Sequence, residues 1–120
     1  IEIGDIKEEH KSSGVWVSTA AGSTAAIGAA GGQQIPLEKD LFQYFVRELY
    51  SSTSRDASSQ IRTGLFDPDK NPLTITNLCD EAILAVDGQH GKINLSYGDK
   101  IFFSKASPLR LARPRSLMKK

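Results

Sequence analysis

The residues of this sequence best suited to chemistry are small and polar and stand at positions 18–25, STAAGSTA. They follow a β-branched and aromatic run at residues 14–18 and precede an Ala-rich stretch that favours a helix. A helix beginning there presents unpaired backbone N–H groups and the positive end of its dipole. Ser and Thr hydroxyls can bond polar edges of a ligand, and Ala leaves a flat surface for a purine ring. The pattern predicts a ligand contact, although a plain Ala-rich packing helix fits it equally well.

The other residues with catalytic or metal-binding potential form no recognisable constellation. His10 and His90 are the only histidines and Cys79 the only cysteine, so there is no zinc pattern and no intrachain disulfide. The run at residues 67–72 has calcium-loop-like spacing, but Pro68 and Pro72 interrupt it, and it predicts a turn. The serines lack obvious His and acid partners, which leaves nucleophilic catalysis without support.

Periodicity and turn chemistry predict a mainly β fold. A strand is predicted at residues 14–18, and the small-residue segment, residues 19–32, is expected to hold one short helix at residues 23–30 that ends at a glycine pair. Ser23 or Thr24 is expected to cap this helix. Further short strands are predicted at residues 41–50, 61–66, 73–78, 83–86, 93–96, 100–104 and 109–111. The expected fold class is an antiparallel two-layer β-sandwich or roll.

The composition is that of one small domain. A chain of 120 residues, 39% hydrophobic and 24% charged, can build a single modest core. The residues expected in that core are Trp16, Val17, Phe45, Val46, Leu84, Val86, Leu95, Ile101 and Phe103. A net charge of +1 predicts neither nucleic-acid nor membrane binding, and one cysteine fits a cytoplasmic location. The basic residues 113–120 predict a flexible tail, with an interaction tail as the alternative.

Several motifs, in order along the chain, resemble one known family. The sequence STAAGSTA at residues 18–25, followed by AGG at 30–32, resembles the signature of NAD kinases. Its Ala-Ala pair is shared with the plant branch that prefers NADH, and LFQYFVRE at residues 41–48 resembles the next strand of that branch. The family's closing strands resemble VDGQ at 86–89, LSYGDKI at 95–101 and SPLRL at 107–111. The resemblance covers residues 12–112.

The resemblance implies a kinase that transfers a phosphoryl group to the 2′-hydroxyl of the adenosine ribose of NAD(H), with ATP and Mg²⁺, to make NADP(H). In this family an N-terminal α/β domain supplies a Gly-Gly-Asp-Gly-Thr loop with the proposed general base, and a C-terminal β-rich domain supplies most contacts to NAD. Residues 1–120 are therefore expected to form a single domain that corresponds to the β-rich, C-terminal portion, and they contain no Gly-Asp-Gly loop. The chain alone is therefore expected to be inactive, and a homo-oligomer is implied as well.

The substrate-binding residues implied by the resemblance are Ser13, Gly22, Ser23, Thr24, Ala25, Ala26, Ala29 and Gln89. Thr24 and Ala25 are expected near the adenine and its ribose, and Gln89 near the dinucleotide from a later turn. Two positions depart from many family members, since Ser13 stands where they have an aspartate and Ala26 where they have a tyrosine that stacks on adenine. The NADH-preferring relatives share both departures.

Two alternatives remain open at the level of sequence. One is a lipid kinase of the diacylglycerol or sphingosine type, which shares this architecture, although GSTA at residues 22–25 and the closing strands argue against it. The other is a dinucleotide-binding or assembly module that kept the fold without the chemistry. A catalytic loop upstream in the parent reading frame would nearly eliminate this second alternative.

Overall fold

The computed structural model describes residues 1–50, 61–88 and 91–106, which form nine short β-strands and two short helices. The strands are β1 Glu2–Ile3, β2 Ile6–Lys7, β3 Gly14–Ser18, β4 Phe42–Arg47, β5 Thr63–Phe66, β6 Leu73–Thr76, β7 Ala82–Val86, β8 Gly91–Leu95 and β9 Lys100–Phe102. A 3₁₀-helix at Ala21–Thr24 and the α-helix α1 at Ala26–Ala29 follow β3. The predicted strand at 109–111 and the basic stretch at 113–120 lie outside the described residues.

The strands form two antiparallel sheets and one separate hairpin. One sheet has the order β2-β1-β6-β9, the other has the order β3-β4-β5, and β7 pairs with β8 alone. The core lies between the two sheets, where Leu73 of the first meets Tyr44 and Phe66 of the second, together with Ile61. Burial of this apolar surface stabilises the two layers against each other. The prediction of a mainly β, antiparallel two-layer fold is confirmed.

Side-chain alternation along β3 and β4 decides which of their residues reach the core. Val15 and Val17 pack against the core, whereas Trp16 is paired with Phe45 in the register of the two strands. Because neighbouring residues of a strand point to opposite faces, Trp16 and Phe45 lie half-buried on the outer face. Their assignment to the core was therefore wrong. The Arg47 guanidinium lies 5.1 Å from the centre of the Trp16 ring on that face.

The remaining core predictions divide in the same way. Val46 is buried, and Phe103 packs against the core between the sheets, as expected. Leu84 and Leu95 belong to the β7–β8 hairpin and are only half-buried, and Val86 is 49% exposed, so its assignment to the core was wrong. The hairpin pairs with neither sheet, and its apolar residues lack a covering layer within the described chain. No helix of the described residues is long and apolar enough to cross a membrane.

Lys105, which follows β9, joins acidic side chains from two separate loops. Its Nζ atom lies 2.8 Å from a carboxylate oxygen of Asp40 and 3.3 Å from one each of Asp67 and Asp69. Hydrogen bonds to these carboxylates, the one to Asp40 foremost, raise the pKa of Lys105. The backbone N–H of Asp69, and then Lys105, lower the pKa of the Asp67 carboxyl. The predicted acidic turn is confirmed, since the Asp67 carbonyl accepts a hydrogen bond from the Asn71 N–H at 2.9 Å.

We expect Lys105→Met to lower the melting temperature near neutral pH, because three carboxylates lose a shared cation. The folded pKa of Asp67 lies below its ordinary value of 3.8, so its stabilising contribution is present above that value and is lost as the pH falls through the folded pKa. The raised pKa of Lys105 contributes below its ordinary value of 10.5 as long as the partner carboxylates are ionised.

Melting curves recorded from about pH 7 to pH 3 measure this effect, with the exposed Lys100→Met as the control. The melting temperature of Lys105→Met should fall less steeply on acidification than that of the unmodified chain. Curves that run parallel for the two proteins would show that Lys105 does not stabilise the Asp67 carboxylate.

Candidate functional site

The small-residue segment begins directly after β3 and is not one continuous helix. Ala25, with φ −82° and ψ −140°, separates the 3₁₀-helix from the four residues of α1. The predicted helix at 23–30 was therefore wrong in its first half, where tight 3₁₀ geometry replaces it. Its predicted cap was also wrong, because α1 begins after Ala25 with no side-chain hydrogen bond. A helix of one turn has only a small dipole, so a ligand contact here depends on exposed side chains.

Ser23 anchors the segment to the body of the protein. Its side chain is 1% exposed, and its hydroxyl donates a hydrogen bond to the Ala20 carbonyl at 2.7 Å. The same oxygen accepts a hydrogen bond from the buried Ile35 N–H at 2.9 Å. Donor and acceptor are thus both used inside the protein. In the structure, Ser23 holds the shape of the segment, and its hydroxyl does not face the surface.

Close backbone contacts explain why the segment consists of such small residues. A Cβ atom on Gly28 would lie 2.8 Å from the Ser23 carbonyl oxygen. A Cβ on Gly32 would lie 2.8 Å from both the Gln43 Oε1 atom and the Ile27 carbonyl oxygen. The buried Gln43 amide is fixed in turn, since it accepts from the Gln33 N–H at 2.8 Å and donates to the Gln33 carbonyl at 2.7 Å. The segment is therefore built to lie flat against β4.

Anchoring one side of the segment leaves its other side open to solvent. Its exposed residues include Thr24, Ala25, Ala26 and Ala29. Gly22 is half-buried, and a Cβ there would lie 3.4 Å from the Cβ of Ser18 at the end of β3. Besides the buried Ser23, five of the eight residues that the sequence proposed lie in this segment, and the four exposed ones contribute to its solvent-facing surface. That surface offers one hydroxyl among methyl groups, which suits a flat ring with a polar edge.

A groove of about 490 Å³ runs along β3 and is lined at one point by Thr19, the first residue of the small-residue segment. Its other walls come from β7 and from β9 with Phe103. Two polar atoms of its lining residues, Trp16 Nε1 and Ser18 Oγ, are buried without a hydrogen-bond partner in the described part of the chain. Buried polar atoms normally find a partner, so these two are unsatisfied polar groups within the lining of the groove.

Most of the chain aligns with two plant proteins. Over 110 residues it is 34% identical to a protein of Oryza sativa subsp. japonica named "Probable NADH kinase", and the alignment covers 91% of this chain and 33% of the rice protein. Over 99 residues it is 32% identical to the NADH kinase of Arabidopsis thaliana, with 82% of this chain and 30% of that protein covered. The chain belongs to the family of the plant NADH kinases.

The chain spans about a third of the length of these NADH kinases. Because the alignment with the rice protein covers 91% of this chain, the small-residue segment falls within it whichever end of the chain is left out. No family model matches the chain, and no solved structure matches it.

One residue expected to bind the substrate, Ser13, does not lie with the others. Ser13 precedes β3 and the small-residue segment follows it, so the length of β3 separates them. Five strand residues at about 3.3 Å each give a separation of roughly 16 Å. Gln89 lies outside the described residues.

Sequence reasoning missed the unpaired polar atoms of Trp16 and Ser18 on β3 of this NADH kinase relative. Their spacing of two residues places both side chains on one face of the strand, which is the signal that could have found them. It also missed Glu48, whose carboxylate accepts a hydrogen bond from the Ser13 hydroxyl at 2.8 Å. That contact joins residues 35 positions apart, and no local pattern predicts it.

Proposed function

We propose that this chain is the NAD(H)-binding, C-terminal portion of an NAD(H) kinase, which phosphorylates the 2′-hydroxyl of the adenosine ribose of NAD(H) to make NADP(H). The observation that supports this most strongly is the surface of Thr24, Ala25, Ala26 and Ala29 in a chain aligned with NADH kinases over most of its length. Both named relatives are NADH kinases, which favours a dinucleotide over a lipid as substrate.

The surface chemistry suits the adenosine half of a dinucleotide. The Thr24 hydroxyl can donate to and accept from the polar edge of the adenine or its ribose. The methyl groups of Ala25, Ala26 and Ala29 let a ring lie against the surface without a steric clash. Anchoring by Ser23 keeps these side chains in place before the ligand arrives, which lowers the entropic cost of binding.

The chemical step is assigned to the rest of the kinase. An N-terminal α/β domain would supply the general base, and ATP with Mg²⁺ would supply the phosphoryl group. In the described part of this chain, no group of three or more His, Cys, Asp or Glu side chains could hold a metal ion. The described residues therefore offer no metal site, and the contribution proposed for this chain is substrate binding.

The proposal includes assembly with further copies of this chain, and the β7–β8 hairpin supports that part of it. Val86 and Ile93 are exposed on the hairpin, although Leu84, which pairs with Ile93, is half-buried. A two-stranded hairpin is barely stable alone in water, so a covering layer from another subunit suits it.

Isothermal titration of the 120-residue chain with NADH, NAD and ATP tests the proposed function. We expect saturable binding of NADH. The heat-capacity change of binding should be negative, because binding buries apolar surface. ATP alone should bind far more weakly, since its site is assigned to the other domain. A chain that melts cooperatively and binds neither NADH nor NAD would contradict the proposal.

A further inference from the structure

The residues just before β3 and those just after β4 are hydrogen-bonded to each other. They lie at the end of the two strands away from the small-residue segment. The Ser13 N–H donates to the Arg47 carbonyl at 3.0 Å, and the Tyr50 N–H donates to the Lys11 carbonyl at 2.7 Å. Gly14 and Arg47 are the last paired residues of the two strands. These bonds bring side chains from both segments to one place and hold them there.

Glu48 has an unusual backbone conformation at this place. Its φ is 47°, and Asp87 is the only other non-glycine residue with positive φ in the described part of the chain. A side chain in the left-handed region is sterically strained, and Glu is not among the residues that favour it. Such conformations persist where the surroundings impose them, and they concentrate at functional sites.

The Ser13 hydroxyl fixes the Glu48 carboxylate by donating to its Oε2 atom at 2.8 Å. The other oxygen, Oε1, lies 4.0 Å from an Arg47 guanidinium nitrogen, beyond hydrogen-bond distance, and the side chain is 73% exposed. Glu48 therefore presents a positioned carboxylate with free acceptor capacity to solvent. A carboxylate of this kind accepts two hydrogen bonds from neighbouring hydroxyls.

This carboxylate lies in a shallow concavity of about 400 Å³ lined by Lys11, Ser12, Ser13, Glu48 and Tyr50. Tyr50 is 60% exposed, so its ring offers an apolar face to a ligand. Lys11 adds a cation beside the carboxylate. The Glu48 carboxylate can accept from the hydroxyls of a ribose, the Tyr50 ring can pack against a base, and Lys11 can pair with a phosphate. Together the three groups match the parts of a nucleotide.

From this arrangement we propose that Glu48 is a ligand-binding residue that accepts hydrogen bonds from the vicinal hydroxyls of a ribose, with Ser13 as its positioning residue. The inference rests on the proposed function and deepens it, because the ligand is the dinucleotide bound at the small-residue segment. The roughly 16 Å along β3 allows one extended dinucleotide to place a nucleoside at each end.

Titration of NADH into Glu48→Gln and Glu48→Asn variants of the 120-residue chain tests the inference. Gln keeps the size and removes the charge, and Asn, which tolerates positive φ, also relieves the backbone. We expect NADH affinity to fall about tenfold in both, since a hydrogen bond to a charged group is worth about 1.5 kcal/mol. The melting temperature of Glu48→Asn should be unchanged or raised. Ser13→Ala should weaken binding about threefold, which is a smaller loss because the carboxylate is kept.

The control is Glu38→Gln, the same chemical change at an exposed turn residue. Unchanged NADH affinity in Glu48→Gln and Glu48→Asn, with the unmodified chain binding normally, would overturn the inference and leave the proposed function standing. Variants that lose melting temperature and affinity together would overturn it too, since they show a purely structural role. If the unmodified chain binds no NADH, the proposed function fails and the inference fails with it.

Discussion

Replacing Phe66 by alanine is expected to lower the free energy of unfolding by about 3–5 kcal/mol. Phe66 is 1% exposed, and its ring meets Phe42 and Phe103 edge-on, with ring centres 5.6 Å and 6.3 Å apart. Tyr44 completes the cluster at 6.3 Å. The substitution removes the ring that joins the two sheets and leaves a cavity that rigid neighbours cannot fill. A domain of this size has only about 5–15 kcal/mol of stability, so the loss is a large share.

Phe102→Ala is the matched control for this prediction. Phe102 stands on β9 next to the core residue Phe103, but it points to the opposite side and is 72% exposed. Its loss should change stability by less than about 0.5 kcal/mol. Urea denaturation followed by tryptophan fluorescence measures both variants. Equal effects of the two substitutions would show that the core does not lie where Phe66 places it.

Ser23→Ala is expected to destabilise the chain by about 1–3 kcal/mol and to weaken NADH binding as well. The change removes one small hydroxyl but leaves the buried Ile35 N–H without an acceptor, and the Ala20 carbonyl keeps only the weaker of its two donors, the Ser23 N–H at 3.2 Å. The residues beyond Ser23, including Thr24, then lose their fixed position. Stability and affinity should therefore fall together, although the Ser23 side chain does not reach the surface.

Ser104→Ala serves as the control for Ser23→Ala. Ser104 follows β9 and is exposed, and it lines neither the groove nor the concavity described above. Urea denaturation and NADH titration of the two variants should separate them clearly. A Ser23→Ala chain with the stability and affinity of Ser104→Ala would mean that the Ser23 hydrogen bonds do not shape the segment.

The strands and turns of this protein could be predicted because their signals are local. The alternation of apolar and polar residues at 73–78 correctly predicted β6. The Asp-Pro run at 67–71 correctly predicted the turn before it. Antiparallel pairing followed from many short strands with tight turns between them. The family resemblance was found for the same reason, since motifs such as STAAGSTA are contiguous in the chain.

The errors came from features that depend on distant contacts. Trp16 and Val17 are adjacent and both apolar, but the strand pairing sends only Val17 to the core. The helix prediction at 23–30 relied on alanine propensity, which the hydrogen bonds of the Ser23 hydroxyl override. Val86 was expected in a core because it is apolar, but a hairpin outside both sheets leaves it exposed.

Nothing local distinguishes a serine that binds a ligand from one that anchors the backbone. Ser23 and Thr24 are adjacent hydroxyl residues in the same motif, yet Ser23 is buried and Thr24 is exposed. The partner of Ser23 is an N–H twelve residues away, and the partner of Ser13 is a carboxylate 35 residues away. Three-dimensional contacts were needed to separate their roles.

Comparing NADH binding of Thr24→Trp and Lys7→Trp by calorimetry tests the central claim most directly. Thr24 is exposed on the proposed adenosine surface, whereas Lys7 stands on β2 at the outer edge of the other sheet, with its side chain 79% exposed. Both variants should fold, and only Thr24→Trp should lose NADH affinity, by a factor of about 100 or more if the indole fills the binding surface. Equal NADH affinity in the two variants would contradict the placement of the dinucleotide on the small-residue segment.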